Sequence, residues 1–242
     1  MGFFDLFRQE KKVEAPKCVA VVPAAGSSTR MGEDKLFLPL NGVPVLIRTL
    51  KALEGCPSID SILVVTRKDL LVPVSQLCKD AGLTKVTKVL VGGATRTESV
   101  LKGVREVSAE TLLVAIHDGA RPLVTTEVVE AAIARATDAG AAAPAVAVKD
   151  TIKRAEGGKV LETPPRETLF AVQTPQVFET GLILGALEKA MEDDVSLTDD
   201  CAAVERLGMS VWLTEGSYEN IKLTTPEDLA VAEGILARRE NP

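Results

Sequence analysis

The sequence predicts an α/β fold in which a mainly parallel sheet carries helices on both faces and a β-arm projects from one side. Three observations predict it. Short β-branched runs alternate with amphipathic stretches from Cys18 to Val148. The runs are largely apolar at consecutive positions, as strands buried on both faces must be. The alternation then stops at Lys149, where extended runs follow one another around a glycine pair. Repeated βα units force parallel strands joined by right-handed crossovers, which lay the helices on both faces of the sheet.

The elements follow in order. CVAVVPAA (18–25), bounded by Gly26, reads as a buried strand, and PVLIRTLKAL (44–53) as a helix with proline near its start. SILVVT (61–66) is the second strand. Asp69 caps a helix through Lys79, with Pro73 either kinking it or seated in its first turn. Residues 85–91 are the third strand and 95–107 a helix. TLLVAI (111–116) is the fourth strand, ending at His117 and Asp118. Residues 126–139 form a helix and the Ala-rich stretch 141–148 the fifth strand. From 149 to 173 the pattern is strand (DTIKR), Glu-Gly-Gly turn, strand (KVLE), Pro-Pro break and extended run (TLFAVQ), which reads as a projecting arm. A two-stranded arm is marginal in water and needs a surface to pack on, which a twofold partner supplies. Helices resume at about 179–191 and 198–207, then a strand at 210–214 and a last helix from Pro226. The whole is Rossmann-like.

Composition narrows the function. The chain has 242 residues, 46% hydrophobic, enough for one large core. Its 34 acidic against 28 basic residues leave a net charge of −6, which disfavours a nucleic-acid partner. No apolar run is long enough to span a bilayer. Four scattered cysteines without a C-x-x-C, and a single histidine, make structural zinc improbable and suit reduced thiols in a cytoplasmic protein. Residues 1–16 stand apart from the domain of 17–242. Phe3, Phe4 and Phe7 share a helical face ahead of Arg8 and Lys11–Lys12, the outline of a short interfacial helix. A frayed tail is the plainer reading of the same residues, and membrane contact the less favoured one.

In an open α/β sheet, ligands bind outside the carboxyl ends of the strands. There the first strand runs into Ala24, Ala25 and Gly26, small residues that let backbone N–H groups close on a phosphate, followed by the cations Arg30 and Lys35. G-x-G-x-x-G is absent, and Gly32 is not followed by Lys-Ser/Thr, so neither common nucleotide loop is present. Gly92-Gly93-Ala94-Thr95 opens a helix after the third strand and reads as an anion- or base-facing loop, or as an ordinary cap. Asp118 stands just past a strand end, as a ligand for Mg²⁺ or as half of an Asp–Arg pair. His117 reads as a packed side chain rather than a catalyst. Lys222, in NIKLT before the last helix, reads as a solvated charge without further context.

Taken together and in order, the blocks PAAGSSTRMGEDK, GGATRTESV, HDGARP, VKDTIKR, QTPQVF, LTDD and NIKLTTPEDL resemble the 2-C-methyl-D-erythritol 4-phosphate cytidylyltransferase family, from about Cys18 to Leu236. The resemblance implies a fold of the nucleotide-diphospho-sugar transferase type. It also implies transfer of CMP from CTP to methylerythritol phosphate with release of pyrophosphate, assisted by Mg²⁺. Arg30 and Lys35 match the pair that stabilises the pentavalent state. Ala24, Ala25 and Gly26 match the nucleotide loop, Gly93 and Ser99 the cytosine-reading segment, Asp118 the acidic residue near metal and ribose, and Lys222 a triphosphate lysine. Thr151 and Arg166 match positions that an arm lends to its dimer mate, which implies a homodimer with shared sites. Three departures stand out: Leu36 where Gln is frequent, Ala94 where Asp is frequent, and two residues fewer between Met31 and Lys35. A ribitol 5-phosphate cytidylyltransferase would keep the CTP site and differ around 149–175. A non-catalytic nucleotide-binding protein on the same scaffold is the rival from another class.

Overall fold

The computed structural model describes residues 18–26 and 36–240. The N-terminal extension and the two cations Arg30 and Lys35 lie outside the described residues. Strand β1 (Cys18–Ala24) is buried along nearly its whole length and forms the middle of an eight-stranded sheet. It pairs in parallel with β4 (Ile59–Thr66) on one side and β6 (Leu113–Ile116) on the other. β5 (Val86–Val91) continues the sheet beyond β4. Beyond β6 comes β11 (Gln176–Glu179), antiparallel to β6 and to β7 (Ala141–Ala147), between which it is wedged. β7 takes β10 (Phe170–Val172), antiparallel, farther along the same flank and β12 (Trp212–Glu215), parallel, on the other. Every strand of the sheet except β10 and β11 is therefore parallel, as predicted.

Successive side chains of a strand point to opposite faces, and β1 divides accordingly. Cys18, Ala20 and Val22 join a core with α1 (Val45–Glu54), α2 (Leu71–Asp80) and α4 (Thr126–Ala139). Val19 and Val21 join the opposite core with α3 (Arg96–Arg105), α5 (Thr180–Glu192) and α6 (Cys201–Arg206). A third, smaller cluster seats α7 (Pro226–Glu240) on Leu40, Val45 and Leu123. Leu40 belongs to a hairpin absent from the predicted elements, β2 (Pro39–Leu40) and β3 (Val43–Pro44). Its connection is Asn41-Gly42, both at positive φ (45° and 74°), the pair that a tight two-residue hairpin turn favours.

Most boundaries match the sequence. α4 spans the predicted 126–139 and ends at Gly140, whose φ of 79° lets its N–H close on Ala136 O at 2.8 Å. Pro73 sits in the first turn of α2, where its missing N–H has no helical partner to lose. The arm needs correction. It is a hairpin of β8 (Arg154–Glu156) and β9 (Lys159–Glu162) turning at Gly157-Gly158, and residues 150–153 form no strand. The third predicted segment of the arm, TLFAVQ, is not part of it. Phe170–Val172 pairs with Ala145–Ala147 because β7 runs past the end of β11 and leaves that stretch of its ladder open. β11, assigned to no element from sequence, is short, follows Pro175 and leads straight into α5, so its period-2 signal is almost nil.

Candidate active site

A cavity of about 450 Å³ opens at the carboxyl ends of β1, β4, β5 and β6. Ala24, Ala25 and Gly26 form one wall. Gly93 to Arg96 and Ser99 form another, and Asp118 and Lys222 a third, while Arg67 reaches in from the end of β4. The predicted nucleotide residues Ala24, Ala25, Gly26, Gly93, Ser99, Asp118 and Lys222 thus converge on one space. Thr151 and Arg166 do not. Both are exposed on or beside the arm, neither lines the cavity, and Arg166 donates to Lys149 O at 3.0 Å.

The turn before α3 is locked by its own helix. Thr95 is the N-cap, its Oγ1 accepting from Glu98 N–H at 3.1 Å, and the Glu98 carboxylate reaches back to accept from Ala94 N–H at 2.7 Å. Ser99 Oγ accepts from Gly93 N–H at 3.0 Å and donates to Thr95 O at 2.8 Å. A Cβ at Gly92 would lie 2.7 Å from Ser99 Oγ, so glycine is what lets the strand end approach the helix. With the N–H groups of Gly93 and Ala94 engaged within the chain, this turn presents a rigid wall rather than an anion cradle. That favours the base-facing reading of the loop.

Charge concentrates at Asp118. One carboxylate oxygen meets Lys222 Nζ at 2.8 Å and the other meets the Arg96 guanidinium at 3.3 Å. Burial pushes this carboxyl up, but Arg96, Lys222 and Arg121 together outweigh it and hold the group well below the usual carboxylate range. Arg96 also grips Asp200 through two bonds, at 2.9 and 2.7 Å. Asp200 is 1% exposed, and its burial pushes its carboxyl up against the pull of Arg96. Its N–H donates to Gln176 Oε1 at 2.9 Å, which ties the pair to β11. Lys222 is placed by its neighbours: Leu223 N–H donates to Ala120 O at 2.9 Å, and buried Asn220 donates to Thr174 O at 2.9 Å. His117 has no exposed surface, and burial pushes its imidazole down to about 4, so it is the packed histidine that the sequence suggested.

Arg96, Asp200 and Arg67 were not among the predicted site residues. Arg96 and Asp200 lie inside the GGATRTESV and LTDD blocks, but 104 positions apart, and no spacing rule reveals a pair closed by the tertiary fold. No group of three or more His, Cys, Asp or Glu side chains that could hold a metal occurs among the described residues. No helix among them is long and apolar enough to cross a membrane.

Comparison with known proteins gives one answer. The family model for 2-C-methyl-D-erythritol 4-phosphate cytidylyltransferase matches residues 18–238. The chain is 45% identical over 222 residues to the protein of that name from Halalkalibacterium halodurans, covering 91% of this chain and 97% of the relative. It is 48% identical over 225 residues to that from Desulforamulus reducens, covering 91% and 96%. Among solved structures, the 4-diphosphocytidyl-2C-methyl-D-erythritol synthase of Anaerococcus prevotii superposes with a TM-score of 0.83 at 30% identity, over 93% of this chain and 98% of that one. The Thermus thermophilus cytidylyltransferase gives 0.75 at 34% identity, over 90% and 98%. The chain belongs to the 2-C-methyl-D-erythritol 4-phosphate cytidylyltransferase family, nucleotidyltransferases of the non-mevalonate isoprenoid pathway.

Proposed function

We propose that this enzyme moves the cytidylyl group of CTP to the phosphate of 2-C-methyl-D-erythritol 4-phosphate in the cavity at the strand ends. A phosphate oxygen of the acceptor attacks the α-phosphorus, a new P–O bond forms in line, the α–β bridging bond breaks, and pyrophosphate leaves. The observation that carries this reading is the convergence of Ala24–Gly26, Gly93, Ser99, Asp118 and Lys222 on one cavity in a chain of this family. The acceptor is already anionic at neutral pH, so no general base is needed and catalysis rests on positioning and electrostatics. The Gly93–Ser99 wall holds the base. Lys222, 40% exposed and oriented by Asp118, meets the triphosphate. Arg30 and Lys35, outside the described residues, are assigned by the family match alone to stabilising the charge that develops on the α-phosphate.

Asp118 is the carboxylate on the cavity wall that would hold a divalent cation, in exchange for part of its present contact with Lys222 or Arg96, whereas Asp200 is buried against Arg96. Mg²⁺ takes one or two protein carboxylates and completes its shell with substrate phosphates, and when bound it offsets phosphate charge and makes the α-phosphorus more electrophilic. The functional unit in this reading is a homodimer. Val160 and Leu161 on the arm are 52% and 45% exposed, apolar surface that a hairpin cannot bury by itself. Packing the arm on a twofold mate would carry Thr151 and Arg166 to the mate's acceptor site. Four buried, unpaired cysteines suit a reducing cytoplasm.

The test is pyrophosphate release from CTP with Mg²⁺, comparing methylerythritol phosphate with ribitol 5-phosphate. Turnover is expected with the first alone. Arg30→Ala and Lys35→Ala are each expected to lower kcat on the order of 10²–10³-fold, as for loss of one oxyanion donor. Preference for ribitol phosphate would overturn the acceptor assignment, and no release in folded, CTP-binding protein would overturn the reaction.

A further inference from the structure

The only histidine of the chain is not used by the reaction just described, yet it is fully buried next to Asp118 of the cavity wall. Its Nε2 lies 3.2 Å from Arg121 O. A carbonyl oxygen only accepts, so Nε2 carries the proton and, in the neutral ring, Nδ1 is a bare acceptor. Nδ1 lies 3.0 Å from Thr174 Oγ1, which must therefore donate to it. The same hydroxyl oxygen accepts from Asp118 N–H at 3.1 Å. The direction of every bond is thereby fixed: Asp118 N–H to Thr174, Thr174 O–H to His117, His117 Nε2–H to Arg121.

We propose that His117 and Thr174 form a positioning relay that sets the Asp118 carboxylate for the nucleotide, a deeper reading that rests on the cytidylyltransferase assignment. The relay ties down both ends of the Asp118–Arg121 turn, which is itself closed by Arg121 N–H to Asp118 O at 3.0 Å. It reaches the other side of the cavity as well. Thr174 O accepts from Asn220 at 2.9 Å, and Asn220 O accepts from Arg121 at 2.6 Å, two residues before Lys222. Thr174 thus orients the carboxylate through its side chain and the Lys222 loop through its main chain. The two groups meet as the 2.8 Å Asp118–Lys222 pair. A histidine that merely fills space would require neither a fixed tautomer nor a hydroxyl partner.

The test combines kinetics with a tautomer measurement on the full chain. Thr174→Val keeps the shape and removes the hydroxyl, and it is expected to lower kcat about 10-fold, the scale of losing an outer hydrogen-bond partner. KM for CTP is expected to change less, because the Gly93–Ser99 wall is untouched. Thr174→Ser is expected to restore most of kcat. Because the chain holds one histidine, selective isotope labelling of an untagged protein gives a single imidazole, whose nitrogen shifts are expected to report the Nε2–H tautomer. An Nδ1–H tautomer in the wild-type protein would overturn the relay without any variant. So would a folded Thr174→Val with wild-type kcat, or a Thr174→Ser as impaired as Thr174→Val. Wild-type turnover of CTP is read first, so failure of the functional assignment is seen separately from failure of the relay.

Discussion

Arg96 belongs to a buried ion pair and to the cavity wall at once. Its planar fork satisfies Asp200 through two bonds and still touches Asp118, so an ion pair beneath the cavity is continuous with the charge on its wall. Removing one partner of such a pair strands a charge out of reach of water, whereas neutralising both does not. Arg96→Met is therefore expected to cost about 3–5 kcal/mol in urea unfolding, and much of that should return in the double variant with Asp200→Asn. A loss below about 1 kcal/mol would show the pair to be no more than a surface contact. At this scale the sequence was half legible. Asp118 and Lys222 were singled out because each follows a strand end or precedes a helix within a distinctive block, and both line the cavity. Arg96 and Asp200 were not, because their meaning lies in their contact with each other, and that contact exists only once α3 and α6 share a face of the sheet.

At Gly103, α3 lies close against the sheet. A Cβ there would lie 2.5 Å from Val21 Cγ1 and 2.9 Å from Val65 Cγ2, both in the middle of the sheet. Gly234, inside α7, has nothing within 4 Å of the same position. Glycine lowers the stability of a helix interior by roughly 1 kcal/mol relative to alanine, so the same substitution should act with opposite signs at the two sites. Gly234→Ala is expected to raise the unfolding midpoint. Gly103→Ala is expected to lower stability by about 1–2 kcal/mol, since overpacking outweighs the helical gain. Equal shifts in thermal unfolding would refute the close approach. Element by element, the long amphipathic stretches were legible to within two or three residues, since an apolar face repeats several times along each. The short pieces were not. The two-residue strands of the β2–β3 hairpin and the four-residue β11 hold too few side chains to show a period, and β10 was misassigned because its partner on β7 is fixed by register.

For the whole molecule, the arm is the part that departs from a self-contained domain. Its two ends are neighbours, because Val148 N–H donates to Leu169 O at 3.1 Å and Ala147 pairs with Phe170. Residues 150–168 can therefore be replaced by a short Gly-Ser connection without opening the sheet. That deletion is expected to leave a cooperatively folded protein that elutes as a monomer and has lost pyrophosphate release with methylerythritol phosphate. If the proposed dimer forms in the parent protein and survives the deletion, its interface lies outside the arm. The arm was visible in the sequence as a break in the βα alternation, whereas its reach was not, since nothing in the run of residues marks where a strand leaves the arm and enters the sheet.

The wedging of β11 between β6 and β7 has a consequence for the order in which the molecule is made. Every ladder partner of β7, namely β10, β11 and β12, comes later in the chain. During synthesis from the N-terminus, β1, β4, β5 and β6 can pair as they emerge, but β7 waits with both flanks open until residues 170–179 are out. An unpaired strand is a template for association with other nascent chains. The composition of β7, AAAPAVA, answers that hazard. Five alanines and a proline give it little apolar surface and an interrupted donor row while it is alone, and enough smallness to be packed tightly once its partners arrive.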